Sequence, residues 1–336
     1  MKRIFTLLII VLTVGSFQAY AQDDIDALLE GGVADGEKLI GAYITPMMNS
    51  LSLGMNQGWY NTAKPHKLAG FDLTATVSLM YIPDSDLLFD AGGLQLTSLV
   101  QVNSSGNQIN FGDVPTIFGS DTPSTFSPSS TVSGPLATTV DDFEITGIDL
   151  KSEIKRNALP VPMAQFGFGL PKGTELKFRL IPKVDLGNDS QFNMFGIGVM
   201  HDVKQYIPGL KNLPFDLSAL VGYTKMKLDI TQSNPDQKGL FEVNSTTIQG
   251  VVSKKLSVVT FYGGLGYNIA KSRLTLLGTY DTGLTTTTDP IDLSFAASGM
   301  RLTTGIRLKL AVFAFSADYT IQKYKALTVG FGINVR

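Results

Sequence analysis

The sequence predicts an all-β fold: a transmembrane antiparallel β-barrel of 12 to 14 strands with a short N-terminal helical plug or cap. Three observations point there. Apolar and polar residues alternate with period two over stretches of about ten residues, the polar background is neutral rather than charged, and the chain opens with an export signal. A strand wetted by lipid on one side and by a polar lumen on the other needs that alternation at that length, whereas sandwich strands run to about five or six residues.

The export signal comes first. Lys2-Arg3, the apolar run 4–14 and the small-x-small site Ala19-Tyr20-Ala21 mark residues 1–21 as a cleaved signal peptide, with the mature chain starting at Gln22. Beyond it no uninterrupted apolar stretch reaches the roughly 18 residues of a membrane helix. The 336-residue chain is 17% charged, below the roughly 25% of ordinary domains, and carries a net charge of -2. Such a chain has no field for a polyanion, so nucleic acid is excluded as a partner. With no Cys there is no disulfide framework, thiolate metal site or acylated cysteine, and His66 and His201 are its two histidines.

Residues 71–81 show the alternation best. Phe71, Leu73, Ala75, Val77, Leu79 and Tyr81 share one face, Asp72, Thr74, Thr76 and Ser78 the other, and Met80 is the exception. The pattern returns at 215–224, where Phe215, Leu217, Ala219, Val221 and Tyr223 oppose Asp216, Ser218 and Thr224. It returns again at 311–320, with Asp318 on the polar face, and at 326–335. Tyr81, Tyr223, Tyr267, Tyr280 and Tyr319 sit near strand ends, where an interfacial aromatic girdle belongs. Glycine recurs on the inner face at Gly167, Gly169, Gly196, Gly198, Gly330 and Gly332. In a strand it marks curvature or the close approach of another backbone, so the lumen is either filled or wide.

The start of the mature chain is the natural filler. Asp23 and Asp24 cap a helical turn carrying Ile25, Leu28 and Leu29, and a second helical stretch places Leu39, Ile40, Tyr43 and Ile44 on one side until Pro46 ends it. Residues 22–48 form this plug or cap, both arrangements being open, and 49–336 form the barrel. Strands are expected near 49–60, 68–82, 89–101, 162–170, 174–185, 191–200, 214–230, 241–253, 256–268, 299–309, 311–321 and 325–336. Stretches 143–155 and 273–281 would raise twelve to fourteen. On this parity the short connections at 83–88, 171–173, 201–214 and 254–255 are periplasmic, and 102–161 and 269–298 are long extracellular loops. The expected lumen-facing residues are Asp72, Gly167, Gly169, Lys177, Arg179, Asp216, Arg301, Asp318, Gly330 and Gly332. A two-residue turn at Lys309-Leu310 would set Arg301 opposite Asp318.

The amphipathic start, the segment 58–67 (GWYNTAKPHK), residues 160–180 (PVPMAQFGFGLPKGTELKFRL) and 201–223 (HDVKQYIPGLKNLPFDLSALVGY) resemble an uncharacterised family of outer-membrane barrels from Bacteroidetes-type bacteria. More distantly the chain is similar to FadL-like long-chain fatty-acid transporters. That resemblance implies a fourteen-stranded barrel, an N-terminal hatch in the lumen, and passage of a small hydrophobic ligand through the wall. It covers nearly the whole mature chain but matches none of that family's ligand-binding residues onto this sequence.

Catalytic and cofactor chemistry is not expected. His201-Asp202 are adjacent and point in different directions, so they read as the cap of a turn. His66, between Lys64 and Lys67, reads as a solvated or lipid-facing mouth residue. Asp84, Asp86 and Asp90 lack the glycine and the twelfth-position Glu of a calcium loop, and Asp141-Asp142 read as loop acids, so no metal is expected. An outer-membrane location in contact with lipid is common to the two readings that stand. One is a channel for a small hydrophobic molecule, the other a closed barrel binding a surface or secreted protein partner; a lipid-modifying enzyme is the third and least favoured.

Overall fold

The computed structural model describes residues 32–129, 142–151, 156–187, 190–231, 234, 236–281 and 286–335. The signal peptide, the helical turn at 23–29 and Asp141 lie outside the described residues. Ten strands close into a ring. They are β1 (Phe71–Tyr81), β2 (Ala158–Leu170), β3 (Thr174–Gly187), β4 (Ser190–Asp202), β5 (Asp216–Thr231), β6 (Lys238–Leu256), β7 (Val259–Leu277), β8 (Gly299–Leu310), β9 (Phe313–Ile321) and β10 (Ala326–Val335). Each pairs antiparallel with its sequence neighbours, and β1 closes on β10 from Phe71↔Val335 to Met80↔Ala326. The segment Ile291–Ala296 pairs with the upper part of β7 and β8 with its lower part, so together they occupy one position in the ring.

Period-two patterning sets the two faces. Leu73, Val77, Phe195, Val221, Leu265 and Phe315 point outward and are 40–57% exposed, while Thr74, Ser78, Ser218, Thr224 and Thr320 point inward and are buried. Aromatic contacts brace the outer surface, with Phe315 and Phe331 centroids 5.2 Å apart across β9 and β10. One rim carries the connections 171–173, 203–215, 257–258 and 311–312; the other carries the two longest, 82–157 and 278–298.

At the long-loop rim the helix α1 (Val33–Gly54) lies under a folded lid. Short strands Leu88–Asp90 and Asp113–Pro115 pair there, as do Leu99–Val102, Ser124–Pro128 and Phe143–Ile145. Leu39 of the helix is buried among Leu99, Val114, Phe126, Phe143 and Ile145, and farther down Ile44 and Met48 pack on Leu274 of β7. The helix start is tied to the lid by Asp35, which is fully buried. Its Oδ2 accepts the amides of Thr97 and Ser98, both at 2.6 Å, and the Ser98 hydroxyl at 2.9 Å.

Several expectations are corrected here. The ring has ten strands, not 12 to 14, because two of the twelve expected segments leave the wall, 49–60 for the helix and lumen and 89–101 for the lid. Residues 49–54 continue the helix: its buried or half-buried apolar positions, Leu39, Ile40, Ile44, Met47, Met48 and Leu51, keep helical spacing through Pro46, which stands inside α1. Tertiary burial outweighs the roughly 3 kcal/mol that proline costs in a helix interior. In 89–101 the apolar residues fill the lid core rather than face outward. Residues 143–145 also belong to the lid, and 273–277 to β7, so neither extra strand joins the ring. Connection 83–88 lies at the long-loop rim, since β1 is the first wall strand. Tyr280 is buried with Leu276 and Ile291 rather than set in a girdle.

The β8–β9 hairpin is corrected too. Leu310 pairs with Phe313 and Gly305 with Asp318, so the turn is Ala311-Val312 and Arg301 does not oppose Asp318. Ala311 adopts the left-handed φ of 54° that the turn needs, which keeps Lys309 in the strand with its amide bonded to the Val258 carbonyl.

Burial pushes the Asp35 carboxyl up, but the Ser98 and Thr97 hydrogen bonds and Lys38 outweigh it and hold the group below its ordinary range. The anchor therefore stabilises the fold at neutral pH and is lost as pH falls through that lowered value. Asp35→Asn should lower the thermal midpoint at pH 7. Its deficit against the unaltered chain should vanish once the pH is well below about 3.9, the ordinary aspartate value. A deficit constant with pH would show that the charge contributes nothing.

Candidate functional site in the filled lumen

The inner wall is polar and glycine-rich, and residues 55–70 run through it from the helix end to the start of β1. Gly54 opens the descent against Met80 and Val161, where a Cβ would lie 3.2 and 2.7 Å from their side chains. Met80, the exception to the β1 pattern, is apolar because it meets the bottom of the helix. Gly58, at φ 70°, passes Thr76 of the same strand. His66 ends the descent beside Asp72.

Two wall arginines hold the middle of this segment. Arg179 of β3 is fully buried and donates to the carbonyls of Met55 at 2.7 Å and Gln57 at 2.6 Å. Arg301 of β8 donates to the Asn56 carbonyl at 2.7 Å and to Gln57 Oε1 at 2.8 Å. Charge-assisted bonds of this kind are roughly twice as strong as neutral ones, and removing a donor would leave buried carbonyls unsatisfied at about 1–3 kcal/mol each. Residues 55–57 form a turn whose amides bond back to Leu51, Leu53 and Gly54, and the guanidinium groups take up the carbonyls that the end of the helix leaves free.

Trp59 is the anchor below that clamp. The Arg179 guanidinium carbon stands 3.6 Å from the centroid of its ring. The indole fits because the wall has no side chain at two places: a Cβ on Gly198 would lie 2.7 Å from the ring and one on Gly222 2.6 Å. Tyr60 follows, its hydroxyl donating to Gln249 at 3.0 Å and its ring edge-on to Tyr262 at 5.9 Å. Tyr262 in turn donates to Asp318 at 2.9 Å. Next, Ser218 donates to the Ala63 carbonyl at 2.6 Å and the Ala63 amide to Ser253 at 2.9 Å.

The lower end closes on His66. Its amide donates to Glu175 Oε2 at 3.0 Å; its Nδ1 lies 3.0 Å from the same oxygen and 3.7 Å from Asp72 Oδ1. The Asn334 amide meets Nε2 at 2.5 Å, Lys309 bonds Asn334, and Lys177 pairs with Glu175. Gly169 leaves room for the backbone of 66–67, and Gly167 for the Asp72 and Glu175 carboxylates. His66, Asp72 and Glu175 bring one imidazole and two carboxylates within 4.8 Å, a donor set suited to a divalent cation. Lys177 already supplies the positive charge on Glu175, and an Asn334 amide hydrogen on Nε2 leaves the ring proton at Nδ1, 3.0 Å from Glu175 Oε2 but not aligned for a hydrogen bond to it. The cluster therefore works as a latch between segment and wall. The space beside it is about 10 Å³, enough for about one water.

Of the residues expected to face the lumen, Asp72, Lys177, Arg179, Arg301 and Asp318 are buried there, and Gly167, Gly169, Gly330 and Gly332 line the inner face beside Asp72, His66, Thr76 and Thr74. Asp216 is half-buried at the foot of β5, away from the others. His66 is buried rather than solvated. Sequence reasoning missed Gln57, Trp59, Tyr60, Glu175 and Asn334. The available signal was that 55–70 holds aromatics, glycine and amides with neither helical nor strand period. His201 meets Thr174 at 2.8 Å and Tyr206 at 3.1 Å, and Asp202 caps the Lys204 amide at 2.9 Å, so both serve the turn.

Residues 1–335 match the model of a family described as a family of unknown function, DUF6588. No curated protein matches. Among solved structures, the chain is similar to Ail, the attachment invasion locus protein of Yersinia pestis, at 8% identity and a TM-score of 0.26, over 80% of this chain and 98% of that one. It is similar to the translocator domain of autotransporter NalP from Neisseria meningitidis at 10% and 0.29, over 86% and 93%. It is similar to the Pseudomonas putida toluene transporter TodX at 8% and 0.24, over 87% and 72%.

The fit of Trp59 against bare backbone is directly testable. Gly198→Ala and Gly222→Ala should each cost about 1–3 kcal/mol through overpacking, read as lowered urea midpoints in detergent micelles. Gly299→Ala, whose Cβ would meet nothing within 4 Å, should leave the midpoint unchanged. Three equal midpoints would mean that the indole is not seated there.

Proposed function

The chain belongs to the DUF6588 family, and we propose that it is an outer-membrane β-barrel kept closed by its own N-terminal segment, working as a binding scaffold through its long-loop rim. The single observation that carries this reading is the filled lumen. From Gly54 to His66 the interior is occupied by residues bonded to the wall, three of them, Met55, Asn56 and Gln57, clamped by buried arginines. The membrane location is supported by the outward apolar face, since a soluble protein rarely leaves so much contiguous apolar surface uncovered. The rim that would carry the binding function is a lid with its own apolar core, which holds its outer surface in one shape.

Passage of a small hydrophobic molecule is the second reading. One observation favours it: the Arg179 and Arg301 clamps on the segment are hydrogen bonds to backbone carbonyls, which water can satisfy equally. Planar bilayers separate the two. The unaltered chain should show no conductance steps, and deletion of residues 33–66 should produce them. Steps from the unaltered chain would favour passage and sink the closed-scaffold reading.

A further inference from the structure

On the outer wall, β6 and β7 lack side chains at two adjacent outward positions. Gly250 pairs with Leu265, and Gly263 with Val252, so the two glycines lie diagonally across the ladder. The result is a groove of about 460 Å³ walled by Leu217, Val252, Leu265, Leu302, Tyr319 and Ile321. That size falls within the roughly 300–1,000 Å³ of small-molecule sites, and the walls are almost wholly apolar. A Cβ on Gly250 would meet nothing nearer than 3.9 Å, so nothing within the chain requires glycine there.

The foot of the groove is charged. Lys254 stands on the same outward face as Gly250 and Val252, two residues beyond Val252 or about 7 Å along the strand. Lys254 pairs with the outward Phe261, is exposed, and has no acidic partner within ion-pair distance among the described residues. Lys255, the next residue, belongs to the opposite face of the strand and pairs with the buried Thr260. One uncompensated ammonium group therefore stands where the apolar wall gives way to the tight-turn rim.

An apolar slot ending in an unpaired cation at an interface matches one class of molecule. We propose that this groove binds an anionic glycerophospholipid, one acyl chain lying over Gly250 and Gly263 and the phosphate meeting Lys254. The charge complementarity selects the headgroup, and continuity with the outward apolar face selects the chain. The proposal rests on the membrane reading above.

The test uses the full mature chain in detergent micelles, with phosphatidylglycerol and phosphatidylcholine of identical acyl chains added and bound lipid counted by native mass spectrometry. One phosphatidylglycerol should be retained at least five-fold over phosphatidylcholine. Lys254→Gln should abolish that preference while leaving some binding of both lipids, and Gly250→Leu, which fills the slot, should reduce both. Equal retention of the two lipids by the unaltered chain, or full retention by Gly250→Leu, would overturn the site. Circular dichroism and heat-shifted gel mobility of the same samples report the barrel itself. A folded barrel without lipid preference overturns this site alone, whereas failure to insert into vesicles overturns the membrane reading.

Discussion

A narrow barrel whose strands alternate must dispose of an inner polar face, and that constraint governs the rest of this structure. Ten strands leave too little room for a wide aqueous channel, and buried donors and acceptors left unpaired are costly. This chain pairs many of them with its own backbone. Met55, Asn56 and Gln57 present carbonyls to Arg179 and Arg301, so charges that would be expensive in a dry interior become the clamps on the turn that follows the helix. The glycine stripes follow, since a wall that admits a tryptophan, a tyrosine and a stretch of backbone must give up its own side chains at those levels.

The same constraint accounts for the two ends. At the tight-turn rim the segment turns into β1, and the His66, Asp72, Glu175, Lys177 and Asn334 cluster pins the corner. At the other rim the segment becomes a helix whose apolar sides need cover. Residues 88–128 and 143–145 supply it as a small β lid, whose Leu99, Val114, Phe126, Phe143 and Ile145 close over Leu39.

Much of this was legible beforehand. Period-two patterning located all ten wall strands, with bounds within about four residues except at the end of β7, which runs on from 268 to Leu277, and nine of the ten expected lumen residues line the interior. Glycine spacing left the lumen either filled or wide, and the structure fills it. Two strand assignments failed for a common reason: residues 51–59 and 89–101 are apolar enough to imitate a wall strand, but their partners are the helix, the lid and the lumen, none of which leaves a local mark. The β8–β9 turn escaped because Ala311 takes a left-handed conformation that alanine rarely adopts. The His66 latch escaped because its members come from the plug and from three separate strands.

The central claim is that the lumen is filled, and Trp59 reports on it alone, being the chain's one tryptophan. It is 1% exposed, shielded from water by Arg179 and Tyr60 and from lipid by the wall. The most direct measurement is quenching of its fluorescence in liposomes, by acrylamide from the aqueous phase and by brominated acyl chains from the bilayer. The account predicts that neither quencher acts on the folded barrel and that acrylamide acts once the barrel is unfolded in urea. Strong acrylamide quenching of the folded protein would contradict it, because water would then have a path to the middle of the barrel.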